Sequence, residues 1–143
     1  MAEARRVAAD GLAAGALAWA LSGLPSTAWT LARGGNPLGA VRAAGTLVVS
    51  PAAGPACLLV AGAAAHTVIS FGWALLLAVV LPERRTRPAG AAAGLAIAAL
   101  DLGAIGRHYP AIRALPTLPQ IADHLVFGIL VGAVVGERRR RRP

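Results

Sequence analysis

Residues Pro55–Leu81 read PACLLVAGAAAHTVISFGWALLLAVVL, without one Asp, Glu, Lys or Arg, and the run stops at Pro82-Glu83-Arg84-Arg85. Crossing the hydrocarbon core of a bilayer takes about 20 apolar residues at about 1.5 Å each, so this stretch predicts a transmembrane helix. His66 and Ser70 lie four apart within it and share one helix face. A polar stripe inside a span turns away from lipid.

Three further spans follow when the chain is read outward from this one: Val7–Leu31, Ala89–Gly106 and Leu118–Gly136. Arg5 and Arg6 ahead of an apolar run resemble the start of a cleaved signal peptide. Asp10 interrupts that pattern, and the apolar stretch outlasts a signal core, so a retained first span is expected. Pro25 removes a ladder bond and predicts a kink, with Ser22, Ser26 and Thr27 nearby to serve the freed backbone groups. Asp10, near the start of this span, reads as a first-turn charge that complements the helix dipole. Residues 32–54 and 107–117 form two connectors. In the first, Asn36 and Pro37 fit an N-cap and a first helical residue. The short helix they open is expected at the membrane interface, carrying Arg42.

The 14 basic residues are all Arg. With four spans the termini share a side, and that side holds Arg5, Arg6, Arg84, Arg85, Arg87 and Arg138–Arg142. Only Arg33, Arg42, Arg107 and Arg113 fall on the other. Positive charge concentrates in cytoplasmic loops, so both termini are expected inside. The composition agrees with a single membrane domain over residues 1–143, being 57% hydrophobic and 14% charged where soluble domains carry about 25% charge. The net charge of +8 sits in clusters beside apolar runs, without a basic stripe interleaved with aromatics, so nucleic acid is not an expected partner. The tail Arg138–Arg142 is a candidate for anionic lipid. Cys57 is the only cysteine, so no intramolecular disulfide can form and it reads as a small hydrophobe. Abundant Ala, Gly, Pro and Arg with no Lys point to a high-GC bacterial genome.

The halves resemble each other. Gly11-Leu-Ala-Ala-Gly15 matches Gly90-Ala-Ala-Ala-Gly94, Arg42…Thr46-Leu47 matches Arg113…Thr117-Leu118, and each half ends in Glu-Arg-Arg. The fold expected is therefore an all-α, four-helix transmembrane bundle of two similar hairpins. Small residues at helical spacing let its helices approach closely: Gly11 and Gly15, Gly62, Gly90 and Gly94, and Gly128, Gly132 and Gly136.

Within the spans, His66, Asp101, Asp123 and His124 remain as polar groups, with Ser22, Ser26 and Ser70 on the same faces. A carboxylate at a helix centre costs about 2.5–3.5 kcal/mol on insertion scales and needs a partner. The simpler expectation pairs Asp101 and Asp123 with Arg42 and Arg113. The alternative is a polar pocket open to the outside and lined by the acids, histidines and serines. No HxxxH or HxxE spacing favours a metal. A haem between His66 and His124 would need ligands at one depth, which they do not share. No nucleophile has a base beside it, so neither cofactor nor enzymatic activity is expected.

Leu21-Ser22-Gly23-Leu24-Pro25-Ser26-Thr27, Arg42-Ala43-Ala44-Gly45-Thr46-Leu47 and Pro119-Gln120-Ile121-Ala122-Asp123-His124 resemble stretches of small integral membrane proteins of high-GC Gram-positive, actinobacterial-type bacteria. The resemblance implies four spans and location in the plasma membrane, and assigns no activity. Two functions follow as expectations. One is movement or sensing of a proton, ion or small solute through the polar cluster. The other is a structural or partner-binding role for the glycine stripes and the Arg tail. Either accommodates a homo-oligomer, because four short spans enclose little space.

Overall fold

The structure is a computed structural model that describes residues 1–142. It is all-helical, with no strand among the described residues. Helices α1 (Ala2–Leu21) and α2 (Leu24–Ala32) form the first span, broken at Ser22-Gly23. A short helix α3 (Gly39–Gly45) leads to α4 (Pro55–Val80), the longest helix. Helix α5 (Thr86–Ala98) passes into a π-helical segment, Ala99–Ile105, and one 3₁₀ turn. A single turn, α6 (Pro110–Arg113), precedes α7 (Thr117–Arg140). Four of these units, Ala2–Ala32, Pro55–Val80, Thr86–His108 and Thr117–Arg140, are long and apolar enough to cross a membrane.

Helix α7 is the central element and packs against α1, α2, α4 and most extensively α5. Its Val131 and Val135 are fully buried and meet Ala14, Ala18, Ala74, Leu77 and Ile97 in one core. Bulky side chains such as Val60, Val68, Val79 and Leu95 point outward, as lipid-facing residues must when the solvent is hydrocarbon. The core itself is built largely from Ala and Gly, because close backbone approach substitutes for a hydrophobic drive between helices in lipid. Gly90 and Gly94 of α5 lie against Gly128 of α7, where a Cβ on Gly128 would stand 2.9 Å from the Cα of Gly94. Gly132 and Gly136 face Thr86, while Gly11 and Gly15 face Leu75, Ala74 and Phe71 of α4. Gly62 faces the backbone of α3 at Val41 instead of another span. Helix α3, expected at the interface, is thereby packed side-on against α4, with Ala43 and Gly45 buried.

The two hairpins, α1–α4 and α5–α7, each pack along their length. Helix α1 also packs on α7, whereas α4 and α5 barely touch. A gap between α4 and α5 results, and it positions the site described below.

Asp10 has a different role from the one expected. The first helix starts at Ala2, which puts Asp10 well past the first turn. Its side chain is 3% exposed and accepts from Arg138 Nε at 2.8 Å and from Arg142. Arg139 reaches the end of α4 and donates to the carbonyls of Ala78 and Leu81, both at 2.9 Å. Arg140 and Arg141 bond Glu137 on their own helix. Each arginine of the tail therefore has a partner within the chain.

Candidate functional site

The site begins with the break in the first span. Pro25 has no N–H and Gly23 resists the helix, so the ladder stops at Leu21 and restarts at Leu24. A restarted helix exposes donors in its first turn. One of them, the Ser26 N–H, donates to Asp123 Oδ1 of α7 at 2.9 Å. Asp123 thus acts as an N-cap supplied from another helix, where the partial positive charge of a helix N-terminus favours a carboxylate. The break also frees the carbonyl of Trp19. His66 Nε2 lies 3.2 Å from that oxygen, and since a carbonyl only accepts, the ring nitrogen donates. The Trp19 and His66 rings lie 6.4 Å apart, tilted by 31°.

A second irregularity faces the first. Helix α5 widens into the π segment Ala99–Ile105, which carries Asp101. Such bulges are rare in helices and recur at functional sites. Asp101 Oδ2 lies 3.4 Å from His124 Nε2, and His124 Nδ1 lies 2.7 Å from the carbonyl of Gln120. That carbonyl takes the Nδ1 proton, so the Nε2···Oδ2 bond requires one more proton shared by the pair. The arrangement is either imidazolium with carboxylate or imidazole with carboxylic acid, and in both it is a proton-holding unit with no net charge. The close backbone contact of Gly94 with His124 and Gly128 one turn away brings α5 near enough for this bond.

Between these irregularities lies a cavity of about 300 Å³. Ser22, Ser26, His66, Ser70, Asp101, Asp123 and His124 all line it, among apolar walls that include Ile69, Trp73, Ile97, Leu102 and Phe127. Residues from α3 and α6, which touch each other, cover the end where the connectors lie. These residues cover that end of the pocket, and its walls on either side of the α4–α5 gap come from His66, Ser70 and Trp73 on one helix and Ile97 and Asp101 on the other. Ser22 and Ser70 are each 5% exposed, and their hydroxyls have no hydrogen-bond partner among the described residues. No fully enclosed side-chain N or O atom lacks a partner, so both hydroxyls touch cavity space.

The arginines expected to neutralise the acids lie elsewhere. Neither Arg42 nor Arg113 forms an ion pair with them: Arg42 is outside the cavity lining, and Arg113 borders a second cleft beside Arg107. Arg33 stacks 4.1 Å over the Trp29 ring, and Arg107 donates to His108. The acids instead use partners that charge counting misses, a backbone N–H and a histidine. No group of three or more His, Cys, Asp or Glu able to hold a metal ion occurs among the described residues. No known protein family, curated protein or solved structure matches this chain.

Proposed function

We propose that this chain is a bacterial plasma-membrane protein that binds and moves, or senses, a small solute or proton through the cavity in the outer half of its bundle. The observation that carries this reading is the cavity itself. Polar side chains from all four spans converge in it, beside two interrupted helices, and two buried hydroxyls face it without a protein partner. Broken helices whose ends point at a cavity near the membrane midplane are a recurrent way of building solute sites. In this reading both termini are cytoplasmic, following the distribution of Arg. The two hairpins are read as copies of one repeated unit, following the matching glycine and arginine landmarks in the sequence. The alternative, a structural or assembly role, would need the glycine stripes and Arg tail for contacts with other molecules. Those groups already face other parts of the same chain, which favours the cavity reading.

The test is substitution of Asp101 by Asn, His124 by Gln and His66 by Gln, one at a time. Proton and solute flux in proteoliposomes is measured beside detergent stability. Loss of flux with retained stability supports the reading. Uniform loss of folding, or unchanged flux in all three, refutes it. Reporter fusions at Gly34 and at the C-terminus test the orientation, with an external C-terminus as the refuting result.

A further inference from the structure

We infer that the cavity takes a monovalent organic cation with an apolar body, an ammonium carried on an aryl or alkyl frame. This rests on reading the cavity as a solute site, and three features of its chemistry give the class.

The first is charge. The Asp101–His124 pair holds one proton and is neutral as a unit. Asp123 accepts from the N-terminus of α2, worth about half a positive charge, and has His124 and His66 near it. No Arg lines the cavity, and the remaining titratable neighbour, His66, donates to the Trp19 carbonyl. Helices α2, α3 and α6 contribute no ionisable side chain to the lining. The lining thus offers carboxylates and no Arg, a balance that suits a monocation better than an anion.

The second is hydrogen bonding. Each carboxylate spends one oxygen on a protein donor, and the Ser22 and Ser70 hydroxyls are uncommitted. Both cavity histidines have donated an N–H to a backbone carbonyl. The surplus is in acceptors, and an ammonium supplies three donors.

The third is the walls and the way in. Ile69, Ile97 and Leu102 are apolar, while Trp73 and Phe127 bring aromatic rings, whose faces attract cations. At about 300 Å³ the cavity lies at the small end of the range of ligand pockets, about 300–1,000 Å³. In this reading the α4–α5 gap opens sideways toward lipid, so a ligand arriving there first partitions into the bilayer. An amine with an aromatic body does so, whereas an inorganic ion does not.

The experiment uses the full chain in lipid nanodiscs and three probes on one frame: naphthylmethylammonium, naphthylmethanol and naphthoate. Binding is read by calorimetry and by quenching of Trp fluorescence, with protein-free nanodiscs subtracted. The ammonium is expected to bind at least about tenfold more tightly than the alcohol, as one hydrogen bond to a charged group would give, and naphthoate most weakly. Asp123→Asn keeps an acceptor for the Ser26 N–H while removing the charge. It is expected to weaken the ammonium about tenfold and leave the alcohol unchanged. Alcohol or carboxylate binding that equals or exceeds the ammonium overturns the cation inference and leaves a solute site standing. Failure of all three probes to bind overturns both. The ranking on the unsubstituted chain decides the inference even where Asp123→Asn does not fold.

Discussion

Replacing Asp123 by Ala removes the only cap on the restarted half of the first span. The Ser26 N–H, 2.9 Å from the carboxylate, would be left without its acceptor. N-cap losses cost about 0.5–2 kcal/mol, and hydrogen bonds to charged groups contribute about 1.5–3 kcal/mol. Membrane helices often find substitute partners, and measured interhelical bonds there average about 0.6 kcal/mol. Ser22 and Thr27 are close enough in sequence to offer such a substitute, so the lower part of the range applies, about 1–2 kcal/mol. Asp123→Asn retains an acceptor oxygen of nearly the same shape and should cost about half as much. The assay is reversible unfolding in mixed micelles, followed by helical circular dichroism, on both variants. Equal destabilisation by Ala and Asn, or none from either, would refute the view that Asp123 caps α2.

Three other perturbations test the rest of the architecture. Gly94→Val puts branched carbon against the His124 carbonyl and within 3.3 Å of the Gly128 Cα. It should cost about 1–3 kcal/mol as overpacking and separate Asp101 from His124, seen as a changed His124 signal in nitrogen NMR. Asp10→Ala leaves Arg138 and Arg142 without their buried acceptor. It should lower stability by about 1.5–3 kcal/mol with little effect on probe binding in the distant cavity, both read on the same nanodisc sample. Arg139→Lys keeps the charge but loses the fork that spans the Ala78 and Leu81 carbonyls. Amide exchange over the last turn of α4 should then accelerate about tenfold, by local opening of that end.

The spans were legible because a bilayer demands length and apolarity, which a sequence displays directly, and Pro25 advertised the break in the first of them. The polar lining was legible too, since His66, Asp101, Asp123 and His124 are the costly residues inside apolar runs. What escaped was pairing. The link from Asp10 to Arg138 spans 128 positions, and nothing local to Asp10 announces it. Arg42 and Arg113 were the obvious cations for the acids, yet a backbone donor and a histidine lay nearer once the helices were folded. The π segment carries no distinguishing composition in Ala99–Ile105, and the burial of α3 against α4 depends on Gly62 facing a connector instead of a span. These are properties of three-dimensional register, which periodicity alone does not encode.

The clasp of Arg138 and Arg142 on Asp10 also bears on how the protein comes into being. Helix α1 enters the membrane first and α7 last, so Asp10 waits through the synthesis of three spans before its cations arrive. Until then the early hairpin holds a carboxylate without its cations, which disfavours burial of that end of α1. Only a chain that has delivered its fourth helix can form these pairs with its first. Chains interrupted before Arg138 should reach the membrane yet fail to mature there, and quality-control proteases should remove them preferentially.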